Sequence, residues 1–274
     1  MTKTTKRWVF YTAVIIFALL SYVVVLYAQG YKYSFSEARF FRTGSIFVKA
    51  NEDARVYLEN KFLNSTSFFG NSYTISGLLP GKYNVRLERT DFSSWQKKIS
   101  VEEGLVSDFS RILILPKSGE PYVALKKEIS DLLNPTVELT PIPSPSKPKA
   151  SPSKTPMPDK IPTEQFYLKN GVLFKNMENG ETERLAYLVK GFSVSPDEKK
   201  ILWWNENELW VMWTSDTNYQ PFHKSGDKEL ITRFSFSIKN SAWFKGDDHV
   251  VVDSGGYKVV EIDKTGGLNI IEIK

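Results

Sequence analysis

Between Trp8 and Ala28 the chain reads WVFYTAVIIFALLSYVVVLYA, 21 residues without a charge. A helix rises about 1.5 Å per residue, so this run spans a hydrocarbon core of about 30 Å. Lys3, Lys6 and Arg7 precede it, and a cationic flank of this kind stays in the cytoplasm. Trp8, Tyr11 and Tyr27 fall near its ends, where amphipathic rings favour the interface. Two other readings compete. A cleaved signal peptide has an apolar core of about 7–15 residues and small residues at its cleavage site. This run is longer, and Leu26-Tyr27-Ala28 lacks the outer small residue. A buried core helix fits less well still. The sequence therefore predicts a cytoplasmic tail at residues 1–7 and an uncleaved transmembrane helix at 8–28, held by membrane lipid. Everything from Gln29 to Lys274 is expected outside the cytoplasmic membrane.

The 274 residues leave room for two small domains after the anchor. Hydrophobic residues make up 41% and aromatics 14%, enough to build cores. There is no cysteine, which excludes disulfides, thiol nucleophiles and cysteine zinc sites. The net charge of +5 is unevenly spread: residues 29–134 carry +3 and residues 164–274 carry −3. No basic stripe interleaved with stacking aromatics is present, so nucleic acid is not an expected partner.

Residues 29–43, QGYKYSFSEARFFRT, carry five aromatics that rest on lipid headgroups or pack under the first module; the sequence supports either. From 44 to 115 short strands follow at regular spacing, the pattern of an all-β sandwich. Ile46, Val48 and Ala50 fall on one face, as do Val56 and Leu58. Tyr83, Val85 and Leu87 alternate with Asn84, Arg86 and Glu88, and Trp95, Ile99 and Val101 continue the period of two. Asp108–Leu115 is the expected last strand. Glu59-Asn60 and Pro80-Gly81 read as tight turns.

GSIFVKANEDARVYLENKF followed by LLPGKYNVRLERTDFSSWQKKISV resembles a PEGA domain. The motif that names that family falls on Asn51, Glu52, Asp53 and Ala54, with Asn51 in place of proline and Asp53 in place of glycine. Both substitutes suit a turn. The family's next turn, Gly-x-Thr-Pro, is replaced by Asn64-Ser65-Thr66-Ser67. Its later turn is intact as Pro80, Gly81, Lys82 and Tyr83. The resemblance implies a small β-sandwich on a prokaryotic surface or envelope protein, with an architectural or interaction role and no catalytic group.

Residues 122–133 predict a short helix whose apolar face holds Val123, Ile129, Leu132 and Leu133. Residues 135–163 contain nine prolines and almost no large apolar residue, so they predict an extended, semi-rigid linker. A proline-motif ligand at Pro141–Pro145 is the functional alternative.

Residues 164–274 predict a second β module. ILWW and LWVMW flank a polar turn at Asn205–Glu208, and HVVVD and YKVVEID flank Ser254-Gly255-Gly256. Phe192–Asp197 precedes the first hairpin and Ala242–Asp247 the second, an offset of about 50 residues within the range of propeller blades. Phe192-Ser193-Val194-Ser195-Pro196-Asp197 is similar to the blade motif of TolB-like and WD40-like propellers. Strands at 166–175 and 183–190 would begin a partial blade. Two to two and a half blades fall short of the four to eight a ring needs. The module then forms an open stack, closes by association, or is a shortened relative of a longer ring. Trp203, Trp204, Trp210, Trp213 and Trp243 are the candidates either to cover its free surface or to contact a partner.

Chemistry finds little support. Asp247-Asp248-His249 with Asp253 can be drawn as a metal site, but the spacing matches no calcium or zinc motif and a solvated turn explains it. Glu102-Glu103 point to opposite faces if both lie on a strand, a poor acid–base pair. Ser195 is not in a nucleophile elbow. No metal, cofactor or catalytic residue is expected. The whole reads as an all-β chain: anchor, PEGA-like sandwich, Pro-rich linker and partial propeller. Its expected role is binding or scaffolding at the cell envelope, toward protein or polysaccharide. A receptor or assembly subunit with a partner-completed propeller is one alternative, and an exported hydrolase another.

Overall fold

The computed structural model describes residues 2–35, 37–135, 165–177 and 179–274; the expected linker, apart from Pro135, lies outside them. Helix α1 spans Lys3–Ala28, so the basic flank forms its first turns. The Thr2 hydroxyl caps it by accepting the Thr5 N–H at 3.3 Å. None of its residues is buried, and it is long and apolar enough to cross a membrane. A hairpin of β1 (Tyr31–Ser34) and β2 (Arg39–Arg42) follows. Its aromatics divide: Phe41 is buried and Phe35 is exposed. The Thr43 N–H closes the hairpin on the Gly30 carbonyl at 2.8 Å.

Two compact units divide the chain. The first contains α1, the hairpin and seven more strands: β3 (Gly44–Ala50), β4 (Arg55–Leu58), β5 (Lys61–Ser65), β6 (Ser72–Leu78), β7 (Gly81–Glu88), β8 (Trp95–Val101) and β9 (Val106–Ile112). They form two sheets, ordered β6-β3-β9 and β5-β4-β7-β8. One core of Ile46, Val48, Val56, Val85, Leu87, Ile99 and their neighbours draws on both sheets. Glu59 and Asn60 both adopt positive φ, 48° and 65°, the backbone a two-residue hairpin turn requires. The last strand departs from the expected Asp108–Leu115. β9 pairs in parallel with β3, and that pairing ends at Ala50 opposite Ile112. Beyond it Leu113–Leu115 are buried without a strand partner. Strand β8 holds a second surprise, because its inward positions include Lys97 as well as Trp95, Ile99 and Val101. Lys97 Nζ donates to the Asp263 carbonyl at 2.6 Å and lies 3.3 Å from its carboxylate. Segments Thr217–Phe222 and Asp263–Asn269 belong to this unit.

The second unit begins before the linker. Helix α2 (Gly119–Leu133) belongs to it, which moves the module boundary from the expected residue 164 back to 119. Its buried face is Leu125, Ile129 and Leu133, a spacing of four. Val123 and Leu132, expected on that face, are exposed because they lie off this stripe. Three antiparallel meanders follow in chain order. The first is β10 (Phe166–Lys169), β11 (Val172–Asn176) and β12 (Thr182–Tyr187). The run at 166–175, expected as one strand, is itself a hairpin folded at Asn170-Gly171, both with positive φ. The second meander is β13 (Gly191–Val194), β14 (Lys200–Trp204), β15 (Glu208–Trp213) and β16 (Lys228–Arg233). The third is β17 (Asn240–Trp243), β18 (His249–Asp253), β19 (Tyr257–Glu261) and β20 (Ile270–Ile273).

Every residue of β14 is buried. Ile201 and Trp203 share a core with Phe166, Leu173 and Leu185 of the first meander. Lys200, Leu202 and Trp204 point the other way, toward the third meander, whose β17 lies against β13 and β14. On the far side of the third meander α2 packs against β17 and β18. There Asn240 Nδ2 donates to the Leu133 carbonyl, and the Tyr257 and Ser130 hydroxyls bond at 3.3 Å.

Candidate interaction sites

The motif at Asn51–Ala54 is a staple. Asn51 sits where β3 ends, and its amide grips the Ile114 backbone twice: Oδ1 accepts the N–H at 2.8 Å and Nδ2 donates to the carbonyl at 3.0 Å. Arg89 ties down the next two residues, donating to Glu52 at 2.7 Å and to Asp53. Ala54 is buried, and its N–H donates to the Thr66 hydroxyl at 3.0 Å. At the later turn Pro80 precedes β7, Gly81 opens it, and the Tyr83 hydroxyl donates back to the Leu79 carbonyl at 2.9 Å. Burial, and then the Glu59 carboxylate, push the Tyr83 phenol above its ordinary range. These residues hold turns.

Four of the five tryptophans proposed as cover or contacts are inside. Trp203, Trp204, Trp213 and Trp243 are 3–6% exposed. Stacked sheets cover these indoles of β14, β15 and β17 and close them to a partner. This corrects the contact reading for all four. Trp203 stacks on Trp210 across the β14–β15 pair, with centroids 5.9 Å apart. Trp213 stacks on His223 at 3.5 Å. Trp210 is half-buried and donates Nε1 to Glu208 at 3.0 Å. That bond, with Arg233 and Asn205, holds the Glu208 carboxyl below its ordinary range. Trp204 lies against Gly191, where a Cβ would come within 2.3 Å of its ring.

A connected polar cluster lies where the second and third meanders meet, and sequence reasoning missed its purpose. The two repeats bond at equivalent positions 50 residues apart. Trp243 Nε1 donates to the Ser193 carbonyl at 3.1 Å, and the Asp197 N–H donates to the Asp247 carboxylate at 3.1 Å. Lys200, 1% exposed, lies between Asp197 at 3.8 Å and Asp248 at 3.9 Å. The Ser195 hydroxyl donates to Asp197 at 2.6 Å and accepts the Lys200 N–H at 2.9 Å. Burial pushes the Asp197 carboxyl up, but the Ser195 and Lys199 hydrogen bonds and the Lys200 charge outweigh it, leaving it below its ordinary range. The expected solvated turn at Asp247-Asp248-His249 is thus a brace between repeats. His249 is buried in β18, and Asp253 pairs with Lys239 at 3.8 Å. Among the described residues no group of three or more His, Asp or Glu side chains could hold a metal. The 50-residue offset was the available signal; what it could not tell is that equivalent residues touch.

Each unit also has a cavity among the described residues. One, of about 380 Å³ in the first unit, is lined by Glu102, Asp108 and Asp263 beside Phe109 and Phe222. The other, of about 480 Å³ in the second unit, is lined by Arg233, Phe234, Phe236, Tyr257 and Lys258. Comparison with known families finds no matching family model, and comparison with curated proteins finds no match.

Proposed function

We propose that this chain is a single-pass display protein of the cell envelope. Its N-terminus is inside, and a PEGA-like sandwich and a short stack of propeller-like blades lie outside the cytoplasmic membrane. Its role is binding or scaffolding. The observation that carries the reading is α1, an apolar helix with no buried residue that leads straight into a β hairpin. A 26-residue helix of that composition, with no buried residue and only its C-terminal end touching the hairpin through Tyr27 and Phe40, is suited to lipid around it. The stacked meanders support the blade reading by their sequential strand order and their 50-residue internal bonds.

The hydrolase alternative has one observation in its favour, the three carboxylates around the cavity of the first unit. Asp263, however, already faces buried Lys97 at 3.3 Å. Binding therefore remains the reading with more support.

The absence of cysteine makes topology directly measurable. Single cysteines at Thr4 and Asn179 are exposed to a membrane-impermeant maleimide on intact cells. Labelling at position 179 with protection at position 4 is the expected outcome. Protection at both, or recovery of the chain in the soluble cytosolic fraction, would overturn the proposal.

A further inference from the structure

The two ends of the stacked meanders are finished differently. At the third meander α2 lies over β17 and β18. At the first, Phe166, Leu173 and Leu185 turn into the shared core. Strand alternation sends Tyr167, Lys169, Val172, Phe174, Arg184 and Tyr187 to the opposite face. Tyr187 is 64% exposed, and Lys169 and Arg184 are exposed as well. Tyr167 and Phe174 are cross-strand partners with rings stacked at 5.1 Å. The remaining outward positions of the three strands are Asn176 and Thr182, so among the described residues these strands turn two cations and no carboxylate to this face.

Size and charge decide what such a face can hold. Three strands about 4.8 Å apart, with a rise of about 3.3 Å per residue, give an area on the order of 250 Å². A stable protein partner needs about 800 Å² on each side. A second copy would also set Lys169 and Arg184 against their own equivalents, a like-charge arrangement that costs affinity. A short run of sugar residues fits this area. Its C–H faces pack on aromatic side chains, and its anionic groups accept charge-assisted hydrogen bonds.

We infer that the outward face of β10–β12 binds an anionic polysaccharide. Tyr167, Phe174 and Tyr187 meet the sugar rings, and Lys169 and Arg184 pair with the acidic groups. The inference rests on the display reading only for bringing the face to an envelope glycan. Binding is measured on purified protein and topology on cells, so either can fail alone.

The test uses the full chain purified in detergent, with polygalacturonate as the probe and neutral dextran of similar length beside it. Polygalacturonate is expected to bind, to weaken when the ionic strength is raised, and to lose roughly tenfold or more in affinity in the Lys169→Glu, Arg184→Glu double variant. Both side chains are exposed, so the variant should melt like the parent. Tyr187→Ala is expected to weaken binding severalfold without changing the salt dependence. The inference is overturned by no binding of polygalacturonate, by equal binding of dextran, or by an unchanged affinity in the double variant. Sedimentation showing a dimer that Tyr187→Ala dissolves would overturn it too, since the face would then belong to a second copy.

Discussion

In the first unit the strands alternate buried and exposed residues, as β8 does along its whole length, whereas β14 in the second unit buries all five of its residues. The difference follows from how each unit covers its sheets. Two sheets sharing one core leave each with a wet face, so period two survives in the sequence. Meanders stacked in series leave the middle one without a wet face, so its strands read as continuous apolar runs. A series also has two ends, and here one end carries a helix while the other shows cations and aromatics. Both units bury a lysine, Lys97 in the first and Lys200 in the second, and both place carboxylates beside it. A buried cation of this kind is tolerated only with such partners.

The comparison can be broken most forcefully in the middle meander. Trp204→Ala removes an indole that is 6% exposed, and should cost about 3–5 kcal/mol in urea unfolding. Tyr187→Ala on the outward face should stay within about 0.5 kcal/mol. Equal costs would mean that the second unit is not layered as described. The smaller effect expected in the first unit is at its turn staple. Asn51→Ala takes away two hydrogen bonds to the Ile114 backbone and should cost about 1–3 kcal/mol, with the m-value unchanged.

The smallest expected effect is a pH dependence at the brace. The Asp197 carboxyl titrates below its ordinary value in the folded chain. Its contribution is therefore present above an ordinary carboxylate pKa of about 3.9 and lost as pH falls through the lower folded value. Melting temperature should fall below about pH 4, and more steeply in the parent than in Asp197→Asn. Glu206 and Glu208 also titrate low, so the difference between parent and variant, not the raw slope, isolates the brace.

Much of the β architecture was legible because periodicity and turn chemistry are local. The alternation at Ile46–Ala50 and Tyr83–Leu87, the Glu59-Asn60 turn and the Asn205–Glu208 turn need only neighbouring residues to specify them. What escaped reading was long-range. Lys97 looks like a surface lysine between two wet positions, and only Asp263, far along the chain, makes its inward position tolerable. Five tryptophans in hairpins look like cover or partner anchors, and only the neighbouring sheets decide that four of them are inside. The sequence of helix α2 assigns it to neither module, and its buried stripe is Leu125, Ile129 and Leu133 rather than one that includes Val123 and Leu132. The sheet it covers lies across the whole linker in sequence, so nothing near α2 announces it. The outward face of β10–β12 is hidden from a reading of 166–175 as one strand, because a missed turn scrambles which residues share a face.

The layered account of the second unit depends most directly on α2. A helix of 15 residues is marginal alone in water and persists only through what it packs on. Hydrogen exchange on the purified full-length chain settles whether it is part of the stack. Amides from Leu125 to Leu133 should exchange as slowly as those of β17 and β18, opening with them as one layer. Fast exchange throughout α2, while β17 and β18 stay protected, would contradict the account.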